Sequence, residues 1–413
     1  MRLKYVISMT VLFCCLGFAA WESVGPYGGY VRSVVVSHSN DNIAYVSSYS
    51  SPTSVARTSD AGASWTTMGA IPTQVYCMAI DPANDNKLYT GCGHAIYRST
   101  DGGANWINTP MSNKYIYGIA VHPNTPSIIY ASGMSWDGSQ WVIAFFKSTN
   151  SGANWSTTPL GVDRGCGYSI AVDRSNPNTV YAGGYYYHPV DSAYYPIIYK
   201  ATDGGTSFNE VTNNIATSSY YVYSLAVHPT NSSIVYAGTY LGGIYRSTNG
   251  GSSWTQASTH YYNYSMTTSP AAPNIAYSGG YYDIYKTTDA GVSWFASSSG
   301  VTGYYIYALA MSPLSGSNVF AGDNVGVFKT TNSGTSWVNS TNNLNIGAIL
   351  NFAVAPSSGS TMYTSFEEIG VYKTTNSGTS WTLLPTPVGC GNICEFAVDY
   401  ANANIIYALE GSG

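Results

Sequence analysis

The chain has 413 residues, a formal net charge of −5, 15% aromatic residues and only 8% charged residues. Soluble domains usually run near about 25% charged, so this surface must be made of hydroxyls, amides and the 39 tyrosines. Fifteen Lys and Arg are too few for a surface that tracks phosphates, which excludes nucleic acid as partner, and the small net charge gives no strong steering of charged ligands.

From the N-terminus, Arg2 and Lys4 precede an apolar run from Val6 to Phe18, interrupted by Ser8 and Thr10 and followed by Ala19 and Ala20. This pattern predicts a secretory signal, residues 1–20, cut near residue 20. The run is too short to span a bilayer comfortably. Phe13 ahead of Cys14 is larger than the small residue a lipoprotein site needs. Residues 21–413 are expected to form one repeat array, with no membrane span. Trp21-Glu22-Ser23-Val24-Gly25-Pro26 reads as an outer strand with no repeat of its own.

From Val55 onward one phrase returns eight times, as in Ile-Tyr-Arg-Ser-Thr-Asp-Gly-Gly-Ala-Asn-Trp ending at Trp106. The closing aromatics are Trp65, Trp106, Trp155, Phe208, Trp254, Trp294, Trp337 and Trp381, 40 to 53 residues apart. Each box follows a second phrase, clearest from Tyr223 to Thr239, in which two β-branched and aromatic runs flank a Pro/Asn/Ser turn. That is a hairpin. A third strand enters the box and a fourth leaves it, giving four short strands per repeat and a period typical of propeller blades. The predicted fold is an all-β propeller of four-stranded blades, eight complete and part of a ninth. The ninth is the hairpin Phe396 to Leu409. The count suits one large ring, or a seven-bladed ring followed by the start of another.

The sixth residue of each box is Asp60, Asp101, Asn150, Asp203, Asn249, Asp289, Asn332 or Asn376. Asn keeps the acceptor oxygen and loses the charge. The exchange therefore predicts a side chain that accepts turn amides, with glycine supplying a positive φ beside it. Three places earlier the residue is always basic: Arg57, Arg98, Lys147, Lys200, Arg246, Lys286, Lys329 and Lys373.

The box resembles the Asp-box, or BNR, repeat of sialidases, sortilin-type receptors, the photosystem assembly propeller and the two-propeller xyloglucan hydrolases. The resemblance implies a propeller fold. It leaves function open, because such relatives include enzymes, receptors and assembly factors. The sialidase pattern of an arginine triad and an F/Y-R-I-P motif is absent. The stretch aligned with the hydrolases' early-blade catalytic aspartate, Ser47 to Val55, holds no acid.

Aromatics load the connections expected on one face of the ring. Trp136, Trp141, Tyr185, Tyr186, Tyr187, Tyr194, Tyr195, Tyr240, Tyr281 and Tyr282 lie within repeats and are the candidate ligand-binding residues, since a flat ring with a hydroxyl rim suits sugars and protein hot spots alike. Tyr117, Tyr223, Tyr264 and Tyr307 recur at one strand position and are expected to fill the ring core. Acids on the same face are Asp137, Asp191, Asp283, Asp323, Glu367 and Glu368, and nothing marks any two as a hydrolytic pair. His122 and His228 replace Asp81 and Asp173 in a turn. Cys77 and Cys92 lie near each other on one predicted hairpin, where an oxidising compartment would allow a bridge, and Cys390 to Cys394 lacks the partners of a zinc site. The expectation is an exported, non-catalytic propeller, free of metal and cofactor, binding a glycan or protein through its aromatic loops. A xyloglucanase-type glycoside hydrolase acting on β-glucans, and an assembly factor docking on a protein, are the alternatives.

Overall fold

The computed structural model describes residues 30–48, 52–341, 349–355, 358–366, 370–376, 381–384, 393–398, 402–404 and 406–410. The candidate signal, the outer strand from Trp21, and Glu367 and Glu368 lie outside them. The described residues are all-β apart from one 3₁₀ turn, Thr217–Ser219. No helix among them is long and apolar enough to cross a membrane.

The first sheet takes Val31–Val36, Ala44–Ser48, Val55–Thr58 and Thr66–Thr67 in chain order, all antiparallel. The same four-strand order recurs in the sheets that begin at Val222, Ser265, Ala308 and Ile349. Between Val75 and Glu210 three such units share long strands. Ile107–Val121 and Ser156–Val172 each serve as the last strand of one unit and the first of the next. A final pair, Ile393–Val398 with Ile406–Glu410, follows.

The box turns share one geometry. Thr58 Oγ1 and Ser99 Oγ accept the N–H groups of Gly62 and Gly103, each at 2.8 Å. Asp60 and Asp101 Oδ1 each accept the N–H four residues on, at 2.9 Å, and Asn150, Asn249 and Asn332 do the same at 2.9 to 3.0 Å. Gly62 has φ +83°, and a Cβ there would lie 2.2 Å from Ser340 Oγ, so the bend is open only to glycine.

The backbone N–H and side-chain amide of Asn105, with Ser99, hold the Asp101 carboxyl at about 2, below its ordinary 3.8. A depressed carboxylate contributes stability above its unfolded value and loses it as pH falls through the folded one. Asp101→Asn should therefore leave melting at pH 7 almost unchanged and flatten its decline between about pH 4 and about pH 2. A large loss at pH 7 in calorimetry would show that the charge itself is needed.

Except for Arg57, which donates to Tyr45 Oη of its own sheet, the basic residue of the box tethers neighbouring sheets. It lies over an aromatic of its own second strand, as Lys200 does over Tyr181 and Lys329 over Phe320 at 5.4 Å. It then donates to a carbonyl in the box of the next sheet: Arg98 to Ser151, Lys147 to Gly204, Lys200 to Gly250, Arg246 to Ala290 and Lys286 to Ser333, at 2.7 to 3.0 Å. The box tryptophans tie backwards, with Trp106 Nε1 donating to Gly69 O, Trp254 to Val211 O and Trp337 to Ser297 O. Both ties also join the sheet of Ala308 to that of Val31: Lys329 Nζ donates to Ala61 O at 2.8 Å, and Trp65 Nε1 to Ser340 O at 2.6 Å. Val31, Val34, Val36, Trp65, Ala308, Phe320 and Val327 share one apolar cluster across that joint. Lys373 instead reaches forward to Asn404 at 2.7 Å.

Cys77 and Cys92 are free thiols, and the bridge open to them in the sequence is not formed. A register shift between Val75 and Cys77 sets Cys77 opposite Gly91 and Val75 opposite Cys92. The two thiols join different clusters, Cys92 beside Val55 and Ile71, Cys77 beside Ile116. Burial pushes the Cys92 thiol up to about 12 and Cys77 higher still.

Candidate ligand-binding site

The first strands of five units open with the same irregularity. Register shifts at Val31/Ser33, Val75/Cys77, Ile116/Gly118, Gly167/Ser169 and Val222/Ser224 leave one residue out of the ladder each time. Those residues are Arg32, Tyr76, Tyr117, Tyr168 and Tyr223. Tyr264 and Tyr307 stand just ahead of the corresponding strands, Ser265–Thr268 and Ala308–Met311. A bulge re-aims its side chain, and the five bulge residues share one lumen with Tyr264 and Tyr307. Ring centroids run Tyr76–Tyr117 4.7 Å, Tyr117–Tyr168 5.6 Å, Tyr168–Tyr223 5.0 Å, Tyr223–Tyr264 5.4 Å and Tyr264–Tyr307 5.1 Å.

The circle encloses a cavity of about 570 Å³. Val34, Ile119, Ile170, Leu225, Met266 and Leu309 give it apolar lining, and Tyr240 also lines it. The four tyrosines expected to fill the ring core therefore line a space. Burial pushes the hydroxyls of Tyr117, Tyr168, Tyr223 and Tyr264 far above their ordinary value, so they stay protonated donors.

A second tier of aromatics continues from this circle. Trp136 and Trp141 are cross-strand partners, rings 5.6 Å apart, and Trp141 meets Tyr115 at 5.1 Å. On the hairpin after Val180, Tyr185 and Tyr187 both contact Tyr194 at 5.3 Å, and Tyr185 meets Tyr221 at 4.9 Å. Tyr186 and Tyr195 pair on the opposite face, stacked at 5.5 Å, because neighbouring strand residues alternate sides. The ten candidates thus split: Tyr185, Tyr187 and Tyr194 join the tier around the lumen, and Tyr186 with Tyr195 turns away. Tyr240 contacts Tyr221 and Tyr262, and Tyr281 contacts Tyr262, Tyr305 and Tyr282.

Three tyrosines of this tier, Tyr220, Tyr262 and Tyr282, hold φ of 58° to 67°. Bulky residues seldom occupy that region, which costs about 1–3 kcal/mol where it occurs and marks functional loops.

The acids at this end are engaged by their own loops. Asp137 accepts the N–H groups of Ser139 and Gln140, Asp191 the Tyr195 hydroxyl, and Asp283 the Ser298 hydroxyl. Asp323 accepts the N–H groups of Val325 and Gly326, and burial pushes it up to about 7 against their pull. His122 and His228 accept turn amides through Nδ1, as Asp81 and Asp173 do through Oδ1. Among the described residues no three His, Cys, Asp or Glu are grouped to hold a metal ion. Tyr76, Tyr168 and Arg32 escaped the sequence reading. Aligning the first strands on Val31, Val75, Ile116, Gly167, Val222, Asn263 and Ile306 would have exposed them as one position.

No protein-family model matches this sequence, and no curated protein does. Solved structures do. The GH74 xyloglucanase of Xanthomonas campestris superposes with a TM-score of 0.64 at 15% identity, covering 90% of this chain and 70% of that one. An ancestral GH74 enzyme gives 0.73 at 19%, covering 96% and 60%. YCF48 bound to D1 peptide gives 0.51 at 15%, covering 76% and 97%. The fold is that of β-propeller proteins. At these identities the likeness carries the fold alone, so function must come from the site.

Proposed function

We propose that the chain is an exported propeller that binds a glycan, without cleaving it, at the tyrosine-lined end of its lumen. In this reading residues 30–341 close as a seven-bladed ring, supported by the Lys329 and Trp65 ties from the last sheet to the first. Residues from 342 on begin a further run of blades, in keeping with the forward reach of Lys373.

The observation that carries the glycan reading is the layer of half-buried tyrosines, interrupted at Arg32, around a cavity of about 570 Å³. A sugar ring has an apolar C–H face and a hydroxyl rim, and a tyrosine matches both, face to face and rim to rim. The Asp-box side chains take no part, since each is spent within its own turn. Hydrolysis would require two carboxyl groups about 5 to 10 Å apart across the bond, and the described acids at this end are held by local loops. The peptide in the YCF48 complex makes protein docking the rival class.

Affinity electrophoresis against soluble β-glucans should retard the protein while reducing ends stay constant. Sustained release of reducing ends, abolished by Asp191→Ala or Asp283→Ala, would overturn binding without cleavage. Absence of retardation by every glycan, with a stable protein partner recovered instead, would overturn the glycan reading.

A further inference from the structure

Six sheets place tyrosine at the start of the first strand, four of them at a bulge, and the sheet that begins at Val31 places Arg32 at its bulge. Among the described residues lining the cavity it is the one charged side chain. Its guanidinium carbon lies 5.1 Å from the centroid of the Tyr307 ring, which seats the group on the aromatic wall. Its charge also favours the ionised forms of Cys77 on the next sheet and of Tyr223 four sheets round the circle.

The rest of the wall is uncharged: tyrosine faces and hydroxyls, Ser33, Ser224 and Ser265 with their hydroxyls engaged by backbone groups, and apolar side chains. Such a surface is indifferent to charge everywhere except at Arg32. A guanidinium carries five donors in a planar fork. It can meet a carboxylate with two parallel N–H···O bonds while keeping its seat on Tyr307 and its contacts within the chain. Half-buried tyrosines on either side lower the local dielectric and so strengthen the pairing.

We propose that the lumen is a subsite for a sugar carrying a carboxylate, a uronic acid residue, whose carboxylate pairs with Arg32 while its ring lies against the tyrosines. The assignment rests on the glycan reading above and adds the chemical class of the unit that enters the cavity.

The test is calorimetric titration of the intact chain with three oligosaccharides of equal length, one neutral, one uronate-bearing and one sulfated. Wild-type protein should bind the uronate about tenfold more tightly than the neutral oligosaccharide, the size of one charge-assisted pairing. Arg32→Tyr installs the residue of the other six sheets and should erase that preference, whereas Arg32→Lys should keep part of it. Equal affinity for neutral and uronate ligands in the wild type, a preference that survives Arg32→Tyr, or tighter binding of the sulfated ligand would each overturn the carboxylate subsite. Neutral binding without a uronate preference removes this subsite and leaves the glycan reading standing. Failure of all three to bind removes both.

Discussion

Trp65→Ala is expected to be the most destabilising single substitution in the ring, costing about 3–5 kcal/mol and lowering the melting temperature by roughly 6–15 °C. Trp65 is 4% exposed, stands edge-on to Phe320 with centroids 6.4 Å apart, and belongs to the cluster that joins the sheet of Val31 to that of Ala308. A cavity at an ordinary blade contact weakens one of several joints formed between neighbours in sequence. Here the joint links residues 275 apart in sequence through Trp65 Nε1 and Ser340 O, so its loss also returns the closure entropy of the whole ring to the unfolding balance. Trp294 supplies the control. It packs against Tyr236 at 5.9 Å, and its Nε1 has no hydrogen-bond partner. Trp294→Phe should therefore be nearly neutral in urea denaturation. Trp65→Phe strands the buried Ser340 carbonyl and should cost about 1–3 kcal/mol. Equal losses in the two Phe variants would remove the special status of the joint between the sheets of Val31 and Ala308.

The sequence spelled out what depends on local chemistry. A box with Asp or Asn in one position must serve an acceptor rather than a charge, and the oxygens of Asp101 and Asn150 occupy equivalent bonds. Spacing near 45 residues with two recurring phrases implied four-stranded units, and five of the observed sheets are of that kind, beside one of nine strands and one of two. Register was out of reach. The bulge that skips Tyr117 or Tyr223 is one residue long, leaves hydrophobic alternation almost intact, and decides whether a ring fills the core or faces a lumen. The same shift put Cys77 and Cys92 in separate clusters, and strand alternation sent Tyr186 and Tyr195 away from Tyr185 and Tyr187. The basic residue of the box was visible as a repeat, but its target lies one sheet away, as with Lys200 and Gly250. Nothing within a single repeat encodes that distance.

Tyr221→Ala is expected to weaken glycan binding about thirtyfold, a loss of about 2 kcal/mol, in keeping with a hot spot at the centre of a desolvated patch. Tyr221 bridges the two aromatic tiers. It contacts Tyr168 and Tyr223 in the lumen wall, Tyr185 and Tyr194 on the hairpin after Val180, and Tyr240 beyond them. Removing it deletes a stacking face and frees the rings that it holds in place. Tyr282, 51% exposed, stands at the rim among Tyr281 and Tyr304. Its removal should cost only about 0.5 kcal/mol, since rim contacts chiefly exclude water. Tyr221→Phe separates stacking from hydrogen bonding: it keeps the face, loses the hydroxyl, and should cost about 1 kcal/mol. All three are read by titration with the oligosaccharide that the wild-type protein retains most strongly. The assignment gives a clear order, with Tyr221→Ala weakest, Tyr221→Phe intermediate and Tyr282→Ala close to wild type. A greater loss at Tyr282 than at Tyr221 would move the binding surface out to the rim and leave the lumen without a ligand.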